Sequence, residues 1–316
     1  MKKTIKSRIK NKDTKHKKHK FIRTTRRNRM NYGGSLIGQG NYGCVFKPDI
    51  TQKNSIITNT NDNNNNNNQN IVSKIVLKNN SFSEYRHEYN ILKKLRHIDP
   101  KGTFHSLLID AFDFKTEYTP PDFDKCTLTK PSYTPDEFFV FNIAYCGKYN
   151  LSHYLYNTFD TNKDKKIIPE PSILFTLFTN ILVGIKKMID SNILHKTLDC
   201  NSIYLLEPLR LDNPYSAKII DYGDGELRKY KGFSDKNYDY ITLFKSILDI
   251  LKHISKTPHY ISYYKIINKL IVGFEELSNI VNNINVSYNN LIKKYILLLG
   301  TVFGNKYSQY AINNYK

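Results

Sequence analysis

No uninterrupted apolar run in the 316 residues approaches the length of a bilayer span. The most apolar piece, 295–303, is too short to cross, so the sequence predicts a soluble protein with no membrane span. No apolar stretch follows the charged amino terminus, which excludes a secretory signal. Only four cysteines occur, Cys44, Cys126, Cys146 and Cys200, none of them in a C-x-x-C pair. That scatter argues against zinc and predicts reduced thiols in an intracellular, reducing compartment. Acid is almost absent at the start, with Asp13 alone against fourteen Lys and Arg in residues 1–30.

The formal net charge is +20, yet outside that first stretch 34 bases face 27 acids, so the excess is mostly a tail. Few apolar residues and strong self-repulsion predict disorder over residues 1–32. Runs such as Lys15-His16-Lys17-Lys18-His19-Lys20 suit phosphates on nucleic acid or another anionic surface, and also resemble nuclear-import signals. A solvated tail with no dedicated partner is the alternative.

The organising stretch is Gly38-Gln39-Gly40-Asn41-Tyr42-Gly43-Cys44-Val45, a G-x-G-x-x-G-x-V pattern between strand-forming runs. Its glycines let a hairpin bring backbone N–H groups against a polyphosphate, where a Cβ would obstruct. Dinucleotide-binding folds use the same glycine spacing but open a helix directly after it. Here Cys44-Val45-Phe46-Lys47-Pro48 predicts a second strand instead. An asparagine-rich loop at about 52–70 separates it from the strand Ile71–Leu77, whose alternation puts Val72, Lys74 and Val76 on one face. A lysine so placed needs a partner if it is buried. Glu88 is the candidate, inside a helix whose capping box reads Ser81-Phe82-Ser83-Glu84.

Residues 107–114 read as a strand, 115–135 as a polar surface insertion and 138–145 as a buried strand. Near Gly147 the pattern changes from strands to helices, which divides the chain into lobes at 33–146 and 147–316. A helix apolar around most of its circumference is expected at Pro171–Asp190, with others at 238–254, 261–277 and 281–299.

Two short motifs complete the order: His195-Lys196-Thr197-Leu198-Asp199 and Ile219-Ile220-Asp221-Tyr222-Gly223. With the glycine hairpin, Lys74 and Glu88, they make the chain over 33–316 resemble the eukaryotic-type protein kinase superfamily. It is also similar to divergent kinase-like proteins of large, mimivirus-like DNA viruses, which carry a basic tail and a hairpin ending C-V-F-K-P. The resemblance implies an α+β, two-lobed protein-kinase-like fold, with a small β-rich lobe holding one helix and a larger helical lobe. It implies ATP and Mg²⁺ as cofactors. Gly38, Gly40 and Gly43 would cover the triphosphate, and Lys74, held by Glu88, would meet its inner phosphates. Val45 and Ile143 would border the adenine, Tyr145 to Gly147 would form the hinge, and Asp221 would hold the metal. Asp239 would anchor the catalytic loop, and Tyr222 would pack on Leu92 and His195. A virus-like origin would add host cytoplasm, nucleus or virion as locations.

The departures from the family pattern bear on activity. Thr197 stands where the family has its catalytic aspartate, and a threonine hydroxyl cannot hold a substrate proton at neutral pH. Asp199 replaces a lysine and Ser202 replaces a metal-ligating asparagine, although a hydroxyl can ligate magnesium. Val72 replaces a small residue and narrows the adenine slot. The segment 224–238 is short and carries no A-P-E. The leading expectation is therefore a pseudokinase or severely impaired kinase that acts through an unknown protein partner. An active atypical serine/threonine or small-molecule kinase, with Asp199 as a displaced base, is the first alternative. A basic-tail nucleic-acid-binding structural protein with a relic kinase fold is the second.

Overall fold

The alternation of small and β-branched residues in the first third of the chain builds one antiparallel sheet. In the computed structural model, which describes residues 34–40, 43–50, 71–80, 83–128, 134–159, 170–227, 233–283 and 286–315, it opens with β1 (Ser35–Gln39), β2 (Cys44–Lys47) and β3 (Ile71–Leu77). A short pair, β4 (Asn79–Asn80) and β5 (Ser83–Glu84), leads into α1 (Tyr85–Ile98). After it come β6 (Leu108–Asp113) and β7 (Phe138–Ala144), giving the five-stranded order β1-β2-β3-β7-β6. The basic tail and the asparagine loop lie outside the described residues.

β3 sits at the centre and is buried on both faces. On one face Val76 and Phe141 pack with Ile91, Leu92 and Leu95 of α1, and Tyr85 lies 4.7 Å from Phe139. On the other, Cys44, Phe46, Ile75 and Val140 form a second cluster that Phe123 and Cys126 cover. The segment after β6 lies at the surface, as its polar composition predicts, but Phe123 and Cys126 anchor it over the sheet. Its Phe123 stacks on Phe114 at 5.0 Å and meets Phe138 at 5.4 Å. Phe114 and Phe138 are fully buried and Phe123 partly so, which holds the exposed polar residues of the segment to the sheet, since a fully buried large apolar side chain stabilises by about 1.5–3 kcal/mol. A polar network closes the same layer. Ser73 Oγ donates to Asn142 Oδ1, Ile50 N donates to Ser73 Oγ, and Asn142 Nδ2 donates to Ile50 O.

Two sequence expectations are corrected here. Cys44 and Cys126 are joined in a disulfide across 82 positions, rather than both being reduced, because β2 and the covering segment meet on that face. Cys146 and Cys200 remain buried thiols, and burial pushes them up to about 11 and about 12. The expected helix start also moves, and Ser81 and Phe82 of the expected capping box lie outside the described residues. Ser83–Glu84 is paired strand, and the helix begins at Tyr85.

Beyond the sheet the chain is helical, with short strand pairs between helices: β8 (Tyr149–Asn150), α2 (Leu151–Thr158), α3 (Pro171–Asp190), β9 (Ile193–Leu194), β10 (Ile203–Leu205), β11 (Ala217–Ile219) and β12 (Glu226–Leu227). Then follow α4 (Phe233–Ile254), α5 (Tyr264–Val281), α6 (Tyr288–Phe303) and α7 (Asn305–Tyr315), the last unanticipated by its sequence. α3 is long and apolar enough to cross a membrane, yet 78% of its apolar window is buried within the protein. Its surroundings explain the composition. Tyr295 and Tyr240 donate to its carbonyls at Phe175 and Leu182, and Phe104 fills the notch at Gly184. The result is a mixed α/β architecture, an antiparallel sheet with one helix followed by a helical body.

Candidate active-site cleft

β3 is a central strand whose Lys74 faces α1, so its ammonium must be neutralised inside the protein. Lys74 Nζ donates to Glu88 Oε1 and Oε2 at 2.7 and 3.0 Å, and to Asp221 Oδ1 at 2.9 Å. Lys74 and Glu88 are 8% and 5% exposed, whereas the Asp221 side chain is 51% exposed. Burial alone would pull the ammonium down, but Asp221 and Glu88 together outweigh it and hold it above its ordinary value. Burial pushes the Glu88 carboxyl up, against the opposing pull of Lys74. Lys74 draws Asp221 below its ordinary 3.8, against the effect of burial. One lysine thus links sheet, helix and the D-Y-G segment across 147 positions of sequence.

The loop at 195–202 is held by its backbone. Asp239, buried in α4, accepts from His195 N and Lys196 N, both at 2.9 Å. His195 Nε2 lies 2.8 Å from Ile220 O, and its ring is 4.9 Å from that of Tyr222. Lys196 pairs with Glu226 of β12. Lys196 and Asp221 take φ values of 71° and 63°, a left-handed conformation costly for residues other than glycine. Such strain persists only where surroundings dictate it, and here Asp239 and Lys74 hold the two residues. The Tyr222 hydroxyl and His195 Nδ1 are buried without a hydrogen-bond partner among the described residues.

Within that loop Thr197 is exposed. Asp199 turns its carboxylate inward on its own loop: Oδ1 accepts from Asn201 N at 2.7 Å, Ser202 N at 3.0 Å and Ser202 Oγ at 3.2 Å. Its Oδ2 accepts from Asn201 Nδ2 at 3.2 Å. Ser202 Oγ also reaches Thr197 O at 3.1 Å.

A cavity of about 710 Å³ lies between sheet and helical body, and Gly38, Gly40, Gly43, Val45, Lys74, Glu88, Tyr145, Thr197, Asp199, Ser202 and Asp221 all border it. Sequence reasoning missed several other residues of its wall, three of which matter most. Tyr204 of β10 is half-buried beneath it, Ile37 of β1 is half-exposed at its roof, and Lys47 sits 3.5 Å over the Tyr145 ring at its edge. The alternation of β2, which sends Val45 and Lys47 to one side, was the signal available for Lys47. Val72 also lines the cavity, as the narrowing argument requires.

The residues present fit a nucleotide with its metal. Cβ atoms added at Gly38 and Gly40, which border the cleft, would meet nothing within 4 Å, so the hairpin is open at both positions. Below stand a fixed ammonium, Lys74, and a half-exposed carboxylate, Asp221, suited to phosphate and to magnesium. The fold and cleft together define a protein-kinase-like, two-lobed architecture.

No family model matches the sequence, and no curated protein matches it. Among solved structures the chain is similar to the crystal structure of the BubR1 kinase domain, with a TM-score of 0.53 and 12% identity, covering 89% of this chain and 83% of that one. At that identity the likeness shows the fold.

Proposed function

We propose that the protein is a kinase-like nucleotide-binding protein whose phosphotransfer is lost or severely impaired. It would use the nucleotide to set a surface for a protein partner. One observation carries the reading: the cleft has a hydroxyl, Thr197, at the base position, and the nearest substitute carboxylate, Asp199, is committed to Asn201 and Ser202. Loss of a general base costs about two to four orders of magnitude in rate. The pairing of Lys74 with Glu88, and the glycine hairpin bordering the same cleft, support binding. ATP would bring the triphosphate, and magnesium the charge that offsets it. Lys74 would hold the phosphates, and Asp221 with Ser202 would hold the metal. Lys74, Glu88 and Asp221 together carry one net negative charge, which favours a cation beside them.

The test is a thermal shift with ATP, with and without Mg²⁺, beside an assay of γ-phosphate transfer. The expected result is a magnesium-dependent rise in Tm with no transfer above the level of Asp221→Asn. Transfer that disappears in both Asp221→Asn and Asp199→Ala would overturn the proposal and establish Asp199 as a base. No Tm shift under any condition would overturn the nucleotide-binding half.

A further inference from the structure

Helix α1 turns Glu88 inward to Lys74, and its opposite side carries charge of one sign. Glu88 is the only acid in the helix. Lys93 and His97 stand one turn apart, with Asn90 a turn before Lys93 and Arg86 a turn before Asn90, so the four form one exposed stripe. Lys94 and Arg96 flank it, and Lys101 extends it beyond the helix end. The stripe from Arg86 to His97 runs roughly 16 Å at 1.5 Å per residue. Arg96 donates to Ile109 O at 3.2 Å, which fixes its stem to β6. Lys93, Lys94, His97 and Lys101 make no ion pair with a carboxylate among the described residues. Of the two acids of neighbouring β6, Asp113 is paired and Asp110 is exposed. Asp113 pairs with Lys78, and Asp110 accepts from Ala111 N.

We infer that this face binds the phosphodiester backbone of a double-stranded nucleic acid. Charge complementarity selects a polyanion, and the absence of apolar anchors selects its kind. None of the exposed large hydrophobic side chains among the described residues lies on α1, whereas a protein docking site needs an apolar or aromatic centre. Tyr89, the nearest ring, is half-buried beneath Lys93, so no platform offers itself to unstacked bases. What remains is one side of a helix carrying Arg86, Lys93, Lys94 and Arg96, with Asn90 and His97 as polar members, which serves backbone contacts without base readout. The fourteen bases of residues 1–30 belong to the same chain and suit the same polymer. The inference stands apart from the proposed nucleotide site, because none of these side chains borders the cavity.

The experiment is fluorescence anisotropy of the full-length chain on labelled DNA and RNA duplexes of equal length, across a salt series. The test variant is Lys93→Ala/Lys94→Ala/Lys101→Ala. A control of equal charge change, Lys293→Ala/Lys294→Ala/Lys306→Ala, removes exposed lysines of α6 and α7. Loss of three phosphate contacts should make the slope of log K against log salt shallower by about 2.7, at about 0.9 per contact. The control should retain the wild-type slope, and a preference for either duplex tells which backbone the face reads. Equal slopes in wild type and test variant would overturn the inference. So would an equal loss in the control, which would mean bulk charge alone. Displacement of the duplex by polyglutamate at equal charge concentration would point to acidic protein instead and overturn the choice of nucleic acid.

Discussion

The Tyr222 hydroxyl offers a sharp test of the packing beneath the cleft. The residue is 1% exposed, its ring lies against His195 at 4.9 Å, and its oxygen has no partner among the described residues. An unpaired buried hydroxyl costs about 1–3 kcal/mol in lost hydration. Tyr222→Phe deletes that oxygen and keeps the ring, so nothing favourable is lost with it. At about 2–4 °C per kcal/mol for a chain near this size, the substitution should raise Tm by about 2–12 °C. Urea unfolding should show a higher midpoint with an unchanged slope, since the exposed area on unfolding stays the same. Tyr222→Leu gives up the ring contact with His195 and should forfeit the gain. An unchanged or lower midpoint in Tyr222→Phe would refute the reasoning, because the hydroxyl would then have a stabilising partner.

Lys74→Met leaves Glu88 buried beside an apolar chain and should destabilise the fold by about 3–5 kcal/mol in urea titrations, with Lys74→Met/Glu88→Met recovering most of the loss. Asp221 is drawn below 3.8 by Lys74, so the stability it contributes is complete above that value and is lost as pH falls through the lower folded-state pKa. Urea midpoints between about pH 5 and pH 2 should therefore fall more steeply in the wild type than in Asp221→Asn. Gly147 has φ 107°, and an added Cβ would lie 2.0 Å from Leu205 O, so Gly147→Ala should lower Tm markedly. Gly38→Ala meets nothing and should leave Tm unchanged while shrinking the shift produced by Mg·ATP. Cys126→Ser opens a link across 82 positions and should cost about 2–4 kcal/mol in calorimetry, an effect that dithiothreitol should reproduce on the wild type.

The parts legible in the sequence are those that local pattern specifies. Lys74 on an apolar strand face and Glu88 in the next helix are 14 positions apart, and the structure joins them. The α3 helix declares itself through continuous apolar composition, and Asp239 through its place after D-Y-G. What escaped is long-range. Nothing near Cys44 tells of Cys126, because the two meet only once the segment after β6 has folded over the sheet. Phe123 was hidden among polar neighbours, although its packing on Phe114 and Phe138 anchors that segment. Helix α7 buries only Ala311 and carries a weak apolar pattern, so composition gave little sign of it. The inward turn of Asp199 was equally illegible, since an extended loop and a self-capped loop share one sequence.

That self-capped loop also shows why a kinase-like cleft can keep its shape under the proposed function. Lys74 and Asp239 serve the fold as well as the site. One bridges two carboxylates between sheet, helix and D-Y-G, and the other satisfies two backbone N–H groups in the interior. Replacing either strands buried charge or buried donors, at a cost of several kcal/mol. Thr197 has no such second role, because it is exposed and its contact with Ser202 runs through its backbone carbonyl. A change there leaves packing untouched. Asp199, with its carboxylate on Asn201 and Ser202, stabilises the loop locally. The architecture therefore constrains the groups that hold the cleft together more tightly than the group that would perform the chemistry. An intact Lys74–Glu88–Asp221 arrangement is accordingly an argument for the fold and for phosphate binding, and a weak argument for catalysis.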